Sequence, residues 1–211
     1  MSKKTKNNEI YLYHGTTEKS AKTIMEHGFK PDTKYNWNVK SKKGFVYLSV
    51  SYAPFYAMNS GKGRKALVKV KINLEDAYPE DDFIMYALGK GKYTQEELDE
   101  INLEDFKQYA FKSLRYMGNV AVKPKDVEVV GYTSFDDKRL WQVCDPVMSP
   151  LNFKILGVYY KELSDWIYSG EKPEDFPRTT EWMMKGTRGV MGEDNMSNLQ
   201  KKNSNTKKCE A

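Results

Sequence analysis

The sequence predicts an α+β fold, because segments with the two-residue period of β-strands are interspersed with segments that have the period of an amphipathic helix. Its 211 residues are 39% hydrophobic and 30% charged, which is typical of one globular domain with a buried core. The predicted strands are residues 10–13, 45–50, 66–72, 118–122 and 127–132. The predicted helices follow the first strand, span residues 52–59, and run from Thr94 to about Leu114.

A short polar turn is expected between the first strand and the first helix. The β-branched and aromatic residues 10–13 favour a strand that stops at His14, Gly15 and Thr16. Either Thr16 or Thr17 can cap the helix that follows, since threonine hydroxyls accept hydrogen bonds from helix N–H groups. The helix places Ala21, Ile24 and Met25 on one apolar face and ends at Gly28.

Residues 31–44 are expected to form a polar surface loop of the length usually reserved for function. A strand at 45–50 and a helix at 52–59 follow it, and the alternation in 66–72 predicts a half-buried strand. The loop also contains side chains that suit stacking and phosphate contact with single-stranded nucleic acid. These are Tyr35, Trp37, Lys40, Lys42 and Lys43.

The second half of the chain begins with a capping box, in which Thr94 pairs with Glu97 and opens a long helix. Residues 151–168 are apolar and are expected to be helical in their second half. We therefore divide the chain into a core at 9–135 and a helical extension at 136–185 that packs on it. The segments 1–8 and 186–211 are basic and polar, and they are expected to be disordered.

Charge and cysteine content exclude several classes of protein. The net charge of +5 lies in the terminal segments 1–9 and 185–211, so residues 10–184 are neutral overall. The charged tails are interpreted as solvating, and nucleic-acid binding is the alternative. No apolar run reaches the roughly 18 residues of a membrane helix, and the polar N-terminus does not resemble a secretory signal. Cys144 and Cys209 are expected to be reduced thiols of a cytoplasmic protein, and no metal site is expected.

Three motifs in a fixed order carry the functional interpretation. The first is Tyr13-His14-Gly15-Thr16 followed by Gly28-Phe29-Lys30-Pro31. The second is Val46-Tyr47-Leu48-Ser49 followed by a helix with Tyr52, Ala53, Tyr56 and Ala57. The third is the strand 66–72 followed by Leu74, Asp76, Asp81 and Asp82.

This order resembles the ADP-ribosyltransferase superfamily over about residues 10–132, in the His–Tyr branch that contains the diphtheria-toxin-like and poly(ADP-ribose) polymerase enzymes. It is also similar to the tRNA 2′-phosphotransferase relatives. The resemblance implies an ADP-ribosyltransferase-like split β-sheet core with flanking helices, and NAD as co-substrate. It implies that His14 contacts the adenosine ribose, that Gly15 pairs with the carboxamide, and that Tyr47 stacks on the nicotinamide.

The chemistry of these residues is consistent with that assignment. Gly15 lacks a Cβ, so its backbone can approach an amide closely, and His14 can donate a hydrogen bond to a ribose hydroxyl. Tyr47 and Tyr56 offer aromatic faces, and Ser49 can bond the amide or cap the next helix. The NAD-binding set is completed by Thr16 and by Arg64, a candidate pyrophosphate ligand together with Arg115 and Lys123.

Asn119 stands where much of the resembled family has a catalytic glutamate, at the start of the strand after the long helix. A carboxylate there would stabilise an oxocarbenium-like transition state, whereas asparagine can bond a ribose hydroxyl but carries no charge. Glu128, on the next strand, is interpreted as a solvated residue. The resemblance therefore implies a mono-ADP-ribosyltransferase with His14, Tyr47 and Asn119 as catalytic residues.

The expected reaction modifies a macromolecular acceptor, protein or nucleic acid, and releases nicotinamide. One alternative is a domain that binds NAD, ADP-ribose or a nucleotide without turnover, and another is an RNA 2′-phosphotransferase, for which the expected set of arginines is missing. The composition is rich in Lys, Asn, Tyr and Met and short in Arg, which resembles products of AT-rich bacterial or phage genomes. A phage factor or toxin acting in the host cytoplasm would fit that origin.

Overall fold

The computed structural model describes residues 8–30, 42–50, 52–90, 92–136 and 163–172. In these residues six strands form one antiparallel sheet of order β4-β5-β2-β1-β3-β6. The strands are β1 Glu9–Thr17, β2 Val46–Ser49, β3 Lys65–Asn73, β4 Ala77–Pro79, β5 Asn119–Val122 and β6 Glu128–Phe135. The helices are α1 Glu18–His27, α2 Ala53–Asn59, α3 Gln95–Glu100, α4 Ala110–Met117 and α5 at 163–168. The predicted α+β class is confirmed.

Short turns of other helical types complete the chain between these elements. A π-helical segment spans Phe83–Leu88, and 3-10 turns span Leu74–Asp76, Leu103–Tyr109 and Pro124–Asp126. Neither β4 nor the π-helical segment is predicted from the sequence, because each is too short to show a period. No helix among the described residues is long and apolar enough to cross a membrane.

β1 and β2 are the least extensively paired neighbours in the sheet. β1 pairs with β3 along its whole length, whereas it meets β2 at a single register pair, Tyr13 opposite Ser49. β1 also continues through the predicted turn, because His14, Gly15 and Thr16 pair with successive residues of β3. The expectation that the strand stops there is wrong: the long partner strand β3 supplies ladder partners as far as Thr17.

Both faces of the sheet are covered. On one face, side chains such as Leu12, Leu48 and Val68 pack with Ala21 of α1 and Leu114 of α4. On the other face, α2 and α5 cover Tyr13 and Leu67 through Ala53, Ala57, Leu163 and Ile167. A third cluster, next to β4 and β5, joins Tyr78, Ile84, Leu98 and Leu103. Burial on both faces explains why strand 66–72 contains more apolar residues than a half-buried strand needs.

The predicted ends of α1 are confirmed. The Thr17 side chain accepts a hydrogen bond from the Ser20 N–H at 3.2 Å, and Gly28 takes a φ of 70° where the helix ends. Ala21 is fully buried, but Met25 is 42% exposed, so the apolar face is narrower than its spacing predicts. The short helix α1 rests on the sheet only along the line of Ala21 and Ile24.

The long helix predicted from Thr94 to Leu114 is wrong, although its capping box is confirmed. α3 ends at Glu100, and Ile101 adopts an extended conformation. Asn102 then caps a new turn by accepting a hydrogen bond from the Glu104 N–H at 3.2 Å. Tertiary contacts support the break, because the Lys42 ammonium donates to carbonyl oxygens at the end of α3.

Candidate functional site

A row of residues crosses the sheet at the level where β1 and β2 separate. Tyr13 of β1 lies opposite Ser49 of β2, and Ser49 lies opposite Asn119 of β5. The row reaches the end of β4 through the buried hydroxyl of Ser113, which accepts a hydrogen bond from the Glu80 N–H at 3.0 Å and donates to the Asn119 carbonyl at 2.9 Å. The backbones of Glu80 and Asn119 are therefore held side by side.

His14 bridges the diverging strands. Its Nδ1 lies 3.1 Å from the main-chain oxygen of Tyr47, and its ring meets Phe29 edge-on at 5.1 Å. Because a carbonyl can only accept, Nδ1 carries the proton and Nε2 of the neutral ring is an acceptor. Burial lowers the pKa of His14 below its usual value, although the bond to Tyr47 opposes that change. Contrary to the expectation from sequence, His14 would accept rather than donate a hydrogen bond at a ribose.

The Tyr47 hydroxyl is held from two sides. It donates to a carboxylate oxygen of Asp81, and it accepts a hydrogen bond from the Lys42 N–H at 3.1 Å. Burial and the neighbouring Asp81 raise the pKa of Tyr47 well above its ordinary value, so the phenol stays protonated. The ring of Tyr47 lies half-buried beside the cluster around Tyr78, with its plane fixed by these contacts.

Tyr56 and Asn119 form the next contact of the site. The Asn119 amide donates to the Tyr56 hydroxyl at 2.7 Å, which joins α2 to the start of β5. Burial, followed by the field of Glu80, raises the pKa of Tyr56. Ser49 lies between them in a structural role: its hydroxyl accepts from the Tyr52 N–H at 2.7 Å and donates to the Gly118 carbonyl at 3.2 Å. The N-cap of α2 is Tyr52, without a side-chain cap, so Ser49 instead holds the segment that leads into the helix, and its contact with an amide stays a prediction.

Glu80 is the strongest electrostatic feature of the site. Its side chain is only 6% exposed, and no residue in the described part of the chain donates a hydrogen bond to Oε1. Burial raises the pKa of Glu80 well above its ordinary value, Asp82 and Asp81 add to this, and a hydrogen bond from Asn119 opposes it. The pKa of Asp81 is raised too, mainly by burial. The free protein therefore holds a protonated or easily protonated carboxyl next to Asn119.

Several acceptor atoms of the site lack donors. Among the described residues, none donates to the buried oxygens Asn119 Oδ1, Glu80 Oε1 and Asp81 Oδ1, and none engages Nε2 of His14. Buried acceptors without partners are rare in folded proteins, because each one loses its bonds to water. The arrangement suits a ligand with several hydroxyl donors, of which a ribose is one.

No protein-family model, no curated protein and no solved structure matches the chain. The ADP-ribosyltransferase core therefore stays a prediction from the motifs, and the site is interpreted from its own geometry.

Gly15 has a packing role that sequence reasoning missed. A Cβ at this position would lie 1.9 Å from the Ala53 oxygen and 2.6 Å from the Ala57 nitrogen. The missing side chain is thus what allows α2 to lie against β1, and α2 carries Tyr56 into the site. Thr16, the next residue, is buried in the ladder opposite Ala66. Pairing of the Gly15 backbone with a carboxamide remains a prediction.

The structure does not bring Arg64 into the site. Arg64 precedes β3 and contacts Glu18 at 3.3 Å and the Ser134 hydroxyl at 3.3 Å. It lies one residue beyond the Thr17 end of the ladder, about 13 Å along the strands from His14 at 3.3 Å per residue.

The other basic candidates are also engaged elsewhere. Lys123 pairs with Glu104 at 2.7 Å, and Arg115 lies against the ring of Tyr116 at 5.9 Å. Lys42 holds the end of α3 rather than facing solvent as a phosphate ligand. Among the described residues, no group of three or more His, Cys, Asp or Glu side chains could hold a metal ion.

Several predictions fall outside the described residues. The loop side chains Tyr35, Trp37 and Lys40, both cysteines, and the expected disorder of 1–7 and 186–211 lie there. Most of the predicted extension 136–185 lies there as well. Its described part, α5, packs on the sheet and is tied to it by a hydrogen bond from the Tyr13 hydroxyl to Asp165 at 2.7 Å.

Sequence reasoning also missed Glu80, Tyr52 and Ser113 as members of the site. One signal was available: Glu80, Asp81 and Asp82 are three consecutive acids directly after the short apolar segment Ala77–Pro79. Their burial could not be predicted, because consecutive acids are usually solvated.

Proposed function

We propose that the chain transfers a single ADP-ribose from NAD to a macromolecular acceptor and releases nicotinamide. One observation carries this proposal: residues that the motif resemblance selects from separate parts of the sequence meet in two pairs, His14 with the Tyr47 main chain and Asn119 with Tyr56. The strands of Tyr47 and Asn119 are paired in the sheet.

The acceptor atoms suit the riboses of NAD, whose hydroxyls are donors. We assign the buried Asn119 Oδ1 to the nicotinamide ribose and the Nε2 of the neutral His14 ring to the adenosine ribose. Each such bond also removes the cost of burying an acceptor without a partner, about 1–3 kcal/mol.

The tyrosines fit the nicotinamide part. Tyr47 and Tyr56 are both anchored through their hydroxyls, to Asp81 and to Asn119 respectively, so their rings need little further ordering to stack on a flat ligand. Asn119 then has two roles: its Nδ2 holds Tyr56, and its Oδ1 is available to orient a ribose hydroxyl. This leaves a single-transfer reaction rather than polymer synthesis as the activity that we propose.

Nicotinamide release from NAD by the purified chain tests the proposal, with variants at His14 and Tyr47. His14→Ala removes the ribose contact, and we expect a loss of at least about tenfold in kcat/KM, since one good hydrogen bond contributes about 1.4 kcal/mol. Tyr47→Phe keeps the ring and should retain most of the activity, whereas Tyr47→Ala removes the stacking face and should lose it. Equal turnover in all three variants would refute the site.

The acceptor is identified in the same system. NAD labelled on the adenylate is incubated with the chain in cell lysate, and the products are treated separately with nuclease and with protease. Label that survives nuclease but not protease indicates a protein acceptor, and the reverse indicates nucleic acid. No label and no nicotinamide, with NAD still bound in a thermal-shift assay, would favour the non-catalytic binder, for which Asn119 in place of a glutamate is the supporting observation.

The RNA 2′-phosphotransferase gains no support. It would need free basic side chains near His14, and Arg64 and Lys123 are both paired with acids elsewhere.

A further inference from the structure

Glu80 brings to the site a carboxyl group, which Asn119 lacks. The pairing of β4 with β5 ends at Pro79 opposite Val120, so one further step along both strands places Glu80 beside Asn119. The Ser113 hydroxyl bridges the two backbones at that step. A carboxylate therefore stands beside the position where the resembled family has its glutamate, but it comes from the neighbouring strand.

We propose that Glu80 is the catalytic carboxylate of this ADP-ribosyl transfer, contributed by the end of β4 in place of a glutamate at the start of β5. The inference rests on the proposed function and adds a residue that the motif resemblance does not assign.

Three features of the structure carry the inference. Glu80 is buried, 6% exposed, so its field acts in a medium of low polarity where electrostatic effects are strong. No described residue donates to its Oε1, which leaves one oxygen for a ligand. The charge of Glu80 also raises the pKa of Tyr52, just before α2, and of Tyr56 in α2, so the carboxyl lies near both tyrosines.

The positive charge of NAD determines the state of this carboxyl. In the free protein, burial and the neighbouring acids raise the pKa of Glu80 and favour the neutral form. The pyridinium ring of NAD is a cation, and a cation within a few ångströms favours the carboxylate. Binding should thus expel the Glu80 proton and place a negative charge where positive charge develops in the reaction.

The proposed transfer of ADP-ribose accounts for each bond, electron pair and proton. The bond between the nicotinamide nitrogen and ribose C1′ breaks, its electron pair goes to the nitrogen, and nicotinamide leaves as a neutral molecule. Positive charge develops on the ribose C1′ and ring oxygen, where the Glu80 carboxylate stabilises it. The acceptor atom forms the new bond to C1′, and its proton passes to the carboxylate.

The variant Glu80→Gln tests this role with little risk to the fold, because glutamine copies the shape of the neutral acid that the free protein favours. Glu128→Gln is the control: it also replaces a glutamate by glutamine, but Glu128 lies on β6, at the edge of the sheet opposite β4, and pairs with Lys71 at 2.6 Å. Both variants are compared with the wild-type chain at pH 6.5 and pH 8.5, for turnover and for binding of NAD and NADH. NADH has the same ribose but a neutral ring.

We expect the wild type to prefer NAD to NADH and to release a proton when NAD binds near pH 6.5, as measured by calorimetry in buffers of different ionisation enthalpy. Glu80→Gln should lose that preference and the proton release, retain NADH binding, and lose about 100-fold or more in kcat. Glu128→Gln should change each quantity by less than about threefold.

The outcomes separate the two proposals. Nicotinamide release by Glu80→Gln at the wild-type rate, or equal effects of both variants, would overturn the role of Glu80 and leave the transfer itself standing. A wild-type chain that binds neither dinucleotide would overturn the proposed function and this inference together.

Discussion

Gly15 offers the sharpest test of how the site is built. A Cβ at this position would lie 1.9 Å from the Ala53 oxygen, 2.9 Å from the Ala53 carbonyl carbon and 2.6 Å from the Ala57 nitrogen, all of them backbone atoms of α2. Rotation of a side chain cannot relieve such contacts, so in Gly15→Ala the helix would have to move by about 1.5 Å to restore an ordinary contact.

The cost follows from that movement. Overpacking of a core costs about 1–3 kcal/mol, and a clash with backbone belongs at the upper end. The reduced freedom of the unfolded alanine chain returns about 0.4–1 kcal/mol. We expect the free energy of unfolding of Gly15→Ala to fall by about 2–3 kcal/mol, which lowers Tm by about 4–12 °C for a chain of this size.

Denaturant unfolding followed by circular dichroism measures the change, with Gly131→Ala as the control. The Cβ added at Gly131 would meet only the Tyr168 hydroxyl, at 2.8 Å, the end of a side chain that can rotate away. The control should therefore lose less than about 1 kcal/mol. If Gly15→Ala unfolds like the control but loses NAD binding, close approach to the ligand and not helix packing is the reason for the glycine.

Three further predictions address other parts of the fold. Thr94→Ala removes the capping box of α3 and should cost about 1 kcal/mol in urea unfolding, whereas no measurable change would mean that α3 depends on its tertiary contacts alone. Leu163→Ala deletes a fully buried side chain of α5 and should cost about 2–5 kcal/mol; a cost below 1 kcal/mol would contradict the packing of α5 on the sheet. Burial lowers the pKa of His14 below 6.5, so the histidine takes up a proton more readily in the unfolded chain than in the folded one. The free energy of unfolding should therefore fall as the pH drops below about 6.5. His14→Gln should reduce that fall, and an unchanged pH profile would show that His14 is not a buried neutral ring.

Local signals predicted the elements whose hydrogen bonds are local. The cap at Thr17, the helix end at Gly28 with its positive φ, and the capping box at Thr94 are all confirmed, because each depends on atoms within four residues. The long strand β3 also follows from its own composition. The same reasoning failed at Ile101, where a lysine far away in sequence satisfies the end of α3 and lets the chain turn.

Among the candidate site residues, those chosen from motifs and those chosen by residue type alone had different outcomes. His14, Tyr47 and Asn119 were chosen from short motifs, and the structure places them on three neighbouring strands, β1, β2 and β5, with His14 bonded to the Tyr47 main chain. Arg64 was chosen by residue type alone, and its nearest acid, Glu18, keeps it at the edge. A positive side chain near a predicted site is weak evidence for a phosphate ligand when acids are as numerous as they are in this chain.

The sequence by itself determined the α+β class, the order of the main elements and the tyrosine and histidine candidates, because periodicity and caps are properties of neighbouring residues. Only the tertiary structure decided that β1 runs on through His14, that Gly15 makes room for α2, and that Glu80 lies buried beside Asn119. Those three facts depend on which strands pair and which helix covers them. A strand partner, a helix contact and the polarity around a carboxyl are set by atoms distant in sequence, and a pattern read along the chain does not contain them.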